Sequence, residues 1–171
     1  MRHIFLLQLL FSFSFSQMNE INSFEANFIQ TITDEHAKEL TYKGHIQAQK
    51  PQKALWTYIN PVEKKVYINA REIVIVEPEI EQVIIKKISN EFDFFSMMKN
   101  AKQIDKNLYV TTFKETQFKI IIENSIIQSI SYRDEFDNEV KIKFTKQIQN
   151  KEIDKELFRP LYPLVYDVIR G

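Results

Sequence analysis

Chemistry in this chain would have to come from few groups. There is no cysteine, which removes disulfides, thiolate metal sites, sulfur nucleophiles and lipid attachment through a thiol. His3 falls in the N-terminal leader argued below, leaving His36 and His45 at opposite ends of the turn-like stretch Asp34 to Gly44. Asp34, Glu35 and His36 could nominally hold a metal ion. Acidic residues and histidine are ordinary in solvated loops, however, and no second ligand set stands at a recognisable spacing. Glu77 and Glu79 flank Pro78 and read as solvent-facing carboxylates of a turn. No G-x-S-x-G, H-E-x-x-H or phosphate-cradling glycine loop is present. The sequence therefore predicts neither an enzyme nor a metal or cofactor site.

The remaining chemistry is apolar. Fourteen Phe, seven Tyr and one Trp stand among 171 residues. A sheet lined with Phe, Ile and Trp and covered by a Phe/Met-rich helix can hold an apolar ligand if its interior is left incompletely packed. Methionine suits such a surface because its unbranched chain repacks around different shapes. Aromatic and Met stripes are ordinarily structural, so composition alone favours a closed, dry core. Charge narrows the partners: 23 Lys and Arg against 23 Asp and Glu leave no basic excess for meeting nucleic-acid phosphates.

The elements that must position these side chains read as strands. Apolar residues recur at every second position: Ala54, Trp56 and Tyr58; Val66 and Ile68; Ile73 and Ile75; Phe118, Ile120 and Ile122; Val140, Ile142 and Phe144. That period describes a sheet with one covered face and one wet face. Turn signals at Asn60-Pro61, Asn69-Ala70-Arg71, Glu77-Pro78-Glu79, Asp105-Lys106-Asn107, Glu123-Asn124-Ser125 and Asp137-Asn138 predict a succession of antiparallel hairpins. With only two glycines, Asn is expected at most left-handed turn positions. Glu91 to Ala101, dense in Phe and Met, is expected to be helical, with Asn90 and Asp93 resembling an N-terminal cap. Ser23 to Thr33 fits either a helix or a strand by periodicity.

Met1 to Ser16 has a basic start at Arg2, an apolar run from Ile4 to Phe11 and small residues alternating with Phe. This predicts a secretory signal peptide cleaved between Ser16 and Gln17, followed by a single domain over 17–171. Export without cysteine points to a bacterial periplasmic protein, or to a secreted one of similar appearance.

Four strings, in order, carry a family resemblance. Ser23 to Asp34 reads S-F-E-A-N-F-I-Q-T-I-T-D, and Gly44 to Pro61 contains Lys50-Pro51, Trp56 and Pro61. Pro78 and Gln82-Val83 follow, and Asp167-Val168-Ile169 stands near the end. Together they resemble the outer-membrane lipoprotein carrier family, LolA. The resemblance implies a mainly β fold, an unclosed antiparallel β-barrel or half-cone sheet covered by short helices, with Ser23 to Thr33 as a strand and Glu91 to Ala101 in the lid. It implies a monomeric periplasmic chaperone that binds the acyl chains of lipoproteins released by an inner-membrane ABC transporter and carries them to the outer membrane, with an outer-membrane receptor as a further partner. Face alternation then nominates Phe24, Phe28, Trp56, Tyr58, Phe92, Phe95, Met97 and Met98 to line or cover the cavity. Lys50 stands where the family has an Arg that latches the lid by hydrogen bonds. An ammonium lacks the planar fork, so latching is expected to be weaker or differently arranged. The family's D-G turn is Asn69-Ala70 here, the Tyr before Pro78 is absent, and the Gly ahead of D-V-I is missing. A second reading keeps the fold but makes the protein a receptor or sensor of lipid-bearing proteins; the missing cysteine counts against it, since receptor relatives are themselves acylated. A third reading is a secreted enzyme or carbohydrate-binding β-protein that uses Asp34 and His36.

Overall fold

The computed structural model describes residues 21–88 and 93–171. The expected leader Met1 to Ser16, and Phe92 with Asn90, lie outside the described residues.

Twelve strands make one sheet. They are β1 (Ser23–Thr33), β2 (Glu39–Gln49), β3 (Lys53–Asn60), β4 (Lys64–Ile68), β5 (Glu72–Glu77), β6 (Gln82–Lys87), β7 (Lys102–Gln103), β8 (Leu108–Phe113), β9 (Thr116–Glu123), β10 (Ile126–Arg133), β11 (Glu139–Gln149) and β12 (Asp167–Arg170). A single α-helix, α1 (Phe94–Asn100), and short 3-10 turns at Pro78–Ile80 and Lys155–Phe158 complete the described elements. The order across the sheet is β12-β6-β5-β4-β3-β2-β1-β11-β10-β9-β8-β7, and β7 and β12 do not pair, so the barrel is unclosed. Residues of β4 and of β8, seven places apart in that order, nevertheless line one cavity. On a flat sheet they would stand about 34 Å apart at the usual strand spacing. The sheet must therefore curl.

Ser23 to Thr33 is a strand, paired antiparallel with β2 on one side and with β11 on the other. Tertiary pairing thus decides an ambiguity that periodicity leaves open. The hairpin prediction needs one correction, because β12 pairs with β6 in parallel, Asp167 opposite Gln82 and Arg170 opposite Ile85. The chain reaches it through the irregular segment after β11 rather than through a tight turn. A second correction concerns the turns. Nine described non-glycine residues have positive φ, and only Asn124 and Asn150 among them are asparagine; Ala37, Gln52, Glu81, Lys114, Ser125, Asp137 and Lys146 take the others. Side-chain bonding explains two of these turns. Asp34 Oδ1 accepts from the backbone N–H of His36 and of Lys38, and Asp134 Oδ1 accepts in the same way from Phe136 and Asn138. An aspartate that satisfies two turn amides fixes the loop and leaves the αL position to whatever residue follows.

Glycine matters at Gly44 for space rather than for φ. A Cβ there would strike the Thr57 carbonyl oxygen and lie 2.6 Å from the Phe28 ring. The missing side chain lets Phe28 lie across β2, where its ring meets Trp56 and Tyr58 edge-on, both at 5.1 Å between centroids.

The expectation of one wet face fails in β3 to β6. Leu55, Tyr67, Val74, Val76 and Val83, which alternate with the inward residues, are also buried. Ile153, Phe158, Tyr162 and Tyr166 of the segment after β11 cover them. β3 and β4 thus contribute side chains to a core on each face. Short strands with apolar residues at both parities cannot be told from one-sided strands until the covering segment is seen.

Candidate functional site

The inner core is built from the inward face of β1, β2 and β9 to β11. Phe24, Phe28, Ile46, Ile120, Ile127 and Val140 are almost wholly buried there. Toward β3, β4 and β8 the packing stops short of closure. A cavity of about 410 Å³ opens between Trp56, Val66 and Ile68 on one wall and Phe113, Phe118 and Ile130 on the other. That volume lies within the range of about 300–1,000 Å³ typical of small-molecule sites.

Helix α1 closes one side. Phe94, Phe95 and Met97 face the cavity, while Met98 is buried in the core beside it. Asp93 is the N-cap: its carboxylate accepts from the N–H of Phe95 and of Ser96 and from the Ser96 hydroxyl. Among the described residues the helix begins at Phe94, capped directly by Asp93. Seven residues are too few to hold a helix in water unaided, so α1 is held by this cap and by what it packs against. Phe94 meets Phe24 at 5.3 Å. The Lys50 ammonium lies 5.8 Å from the Phe95 ring centroid and donates to Asn22 Oδ1 at 3.3 Å. Lys50 therefore meets the helix through a ring face, at a separation typical of cation–π contacts.

Of the residues nominated from sequence, Trp56, Tyr58, Phe95 and Met97 line the cavity. Phe24, Phe28 and Met98 sit behind the lining as filled core, and Phe92 lies outside the described residues. The structure adds Phe94, Phe113, Phe118 and Ile130, together with Gln30 and Tyr132. Phe118 stands on an alternating face in the sequence, a signal that was readable. Gln30 and Tyr132 had none, since a polar residue at an inward position looks like a break in the pattern.

Polar side chains border the cavity at both ends, Gln52, Lys53 and Asp93 beside α1 and Gln30, Tyr58 and Tyr132 away from it. Gln30 is six positions along β1 from Phe24, about 20 Å at strand rise. The Tyr58 hydroxyl donates to Gln30 Oε1 at 2.9 Å. Burial pushes the Tyr58 phenol well above its ordinary range, with neighbouring Tyr132 and Tyr42 adding to the shift. Tyr132 is raised as well, by burial and then by the Asp134 carboxylate. Both phenols stay protonated at any physiological pH.

On the outer face, His45 bridges Asn27 Oδ1, 2.9 Å from Nδ1, and Glu25, 3.3 Å from Nε2, while Lys151 reaches the other Glu25 oxygen at 3.4 Å. This clasp ties β1, β2 and the start of the covering segment together. His36 is exposed beside Glu35 on its turn, and among the described residues no group of three potential metal ligands converges.

The sequence profile of the family described as "Outer membrane lipoprotein carrier protein LolA" matches residues 19–160. The chain belongs to the LolA family. It is 37% identical over 149 residues to an outer-membrane lipoprotein carrier protein of Campylobacter jejuni, covering 87% of each chain. A protein of the same description from Wolinella succinogenes is 33% identical over 151 residues, again covering 88% of each. Among solved structures, a LolA superfamily protein from Nitrosomonas europaea superposes with a TM-score of 0.53 at 10% identity, covering 85% of this chain and 95% of that one. An uncharacterized conserved protein from Thermus thermophilus gives 0.55 at 10% identity, covering 91% and 94%. The LolA fold is thus shared at identities too low to carry more than architecture, and the unclosed sheet with a helix over its inner face is that fold.

Proposed function

We propose that this protein is a periplasmic escort for lipoproteins: it takes up their acyl chains after release from the inner membrane and carries them to the outer membrane. The observation that carries this reading is the unfilled apolar cavity between the curled sheet and α1, in a chain whose curated relatives bear the name of lipoprotein carriers. An acyl chain in water costs about 0.8 kcal/mol per CH₂, so ~15 such groups amount to on the order of 10 kcal/mol. An escort must match much of that and still let go. Trp56, Tyr58, Phe95 and Met97 supply contact surface, Phe24, Phe28 and Met98 support it from behind, and a helix held mainly by packing can be displaced at modest cost. Lys50 steadies the helix through Phe95. An ABC transporter that loads the carrier and a receptor that unloads it complete the cycle. Binding without bond-making suffices for this role, and the protein acts as a monomer with no cofactor.

Incubation with a detergent-solubilised lipoprotein, followed by detergent removal, is expected to give a soluble one-to-one complex. The same lipoprotein with its acylated cysteine removed is expected to give none. If the acylated cargo precipitates as readily with the protein as without it, the reading fails.

A further inference from the structure

The cavity is apolar along its length and bordered by polar side chains at both ends; beside α1 these are Gln52, Asp93, whose carboxylate caps the helix, and Lys53, whose ammonium lies over the Phe158 ring. At the end away from α1 it is bounded by Gln30 and Tyr132, with Tyr58 bonded to Gln30. The Tyr58 proton is spent on Gln30 Oε1. The Gln30 amide nitrogen, which carries two hydrogens, and the Tyr132 hydroxyl have no acceptor among the described residues. Lys64 brings a positive charge to the same end, its ammonium 4.7 Å from the Tyr58 ring centroid and 5.6 Å from that of Tyr42. Donors bordering an apolar cavity lose hydrogen bonding when a pure hydrocarbon displaces water, and recover it only if the ligand brings an acceptor. A carbonyl oxygen is an acceptor without a proton of its own, which matches an end rich in donors. An acyl chain carries that group at one end only.

We propose that Gln30 and Tyr132, steadied by Tyr58, form a recognition site for the carbonyl of an acyl group and so orient the chain in the cavity. This rests on the carrier reading and adds an orientation and a headgroup chemistry to it. The raised phenols agree, since a neutral hydroxyl remains a donor across the working pH range. The acceptor could be an acyl ester or a free fatty acid.

Trp56, the only tryptophan, lines the cavity and reports occupancy by its fluorescence. The purified protein is titrated with monododecanoyl glycerol and with its ether counterpart, dodecyl glycerol, which lacks only the carbonyl. The ester is expected to bind about three- to tenfold more tightly than the ether, the difference one satisfied hydrogen bond makes. Gln30→Leu and Tyr132→Phe are each expected to bring that ratio toward one. Dodecanoate in a third arm separates the sources: tighter binding than the ester marks a free carboxylate held with help from Lys64, weaker binding marks an esterified chain, and either keeps the carbonyl site. Equal affinity for ester and ether in the unaltered protein overturns the inference and leaves the carrier reading standing. So does a ratio unmoved by both substitutions. Failure of ester, ether and acid alike to bind overturns both.

Discussion

The two faces of the sheet around β3 to β6 are lined by similar side chains and finished differently. Outward, Leu55, Tyr67, Val74, Val76 and Val83 are sealed by Ile153 and Phe158 of the chain's own covering segment. Inward, Trp56, Val66 and Ile68 face open volume. Since β3 and β4 each supply residues to both sets, composition cannot distinguish them. The difference lies in what the rest of the chain delivers to each face: a continuous segment on one side, and on the other a seven-residue helix that covers without filling. Outer-face residues should then carry stability, and inner-face residues beside the cavity should carry binding.

The largest effect tests the sealed side. Phe158→Ala is expected to cost about 3–5 kcal/mol in urea unfolding, as for a buried aromatic in a closed core, with cargo binding by the folded fraction unchanged. A loss of cargo affinity at this site would break the comparison.

Gly44→Ala should come next. Its methyl must displace the Thr57 carbonyl or the Phe28 ring, which is expected to cost about 1–3 kcal/mol by overpacking. Because Phe28 supports Trp56 and Tyr58, the fluorescence of Trp56 should shift as well.

On the open side, Ile68→Ala removes atoms from a wall that already borders space, so its stability cost should fall below the roughly 2–5 kcal/mol usual for a buried Ile. Affinity for an acylated cargo should fall instead. Asp93→Ala removes the cap of α1 at an expected cost of about 1 kcal/mol, seen as faster amide exchange at Phe95 and Ser96.

The smallest effect is pH dependence. Tyr58, Tyr67 and Tyr132 all have raised phenol pKa values, with burial as the main cause. A group whose folded pKa lies above its unfolded value contributes stability that is whole below the unfolded pKa, about 10 for tyrosine, and is lost as pH rises through the folded one. Stability should therefore be flat from neutral pH to about pH 10 and fall above it, less steeply in Tyr58→Phe. Unchanged alkaline unfolding in that variant would contradict the burial argument.

Strands β3, β4, β5, β9 and β11, the turn positions between strands and the covering helix were legible because period-two alternation and Asn, Asp and Pro signals are local. The double-sided burial of Tyr67, Val74 and Val83 was not. It depends on Phe158 and Tyr162 returning from distant sequence to cover a face that alternation assigns to water. The cavity was legible only in part. Trp56, Tyr58, Phe95 and Met97 follow from face alternation and helix density, but nothing in that pattern separates them from Phe24 or Met98, which fill the core behind them. Whether an aromatic lines space or fills it depends on the curl of the sheet, set by strands whose pairing partners lie far along the chain. Gln30 and Tyr132 are the reverse case, polar residues whose meaning appears only once opposite walls are brought together.

The distinction between the faces is tested most directly by nuclear Overhauser contacts from an isotope-labelled acyl chain of a bound lipoprotein. Contacts to the methyl groups of Ile68, Met97 and Ile130, with none to Val74 or Val83, are the expected result. Contacts to the outer set, or an acyl chain that touches neither, would contradict the assignment of the open face as the cargo site.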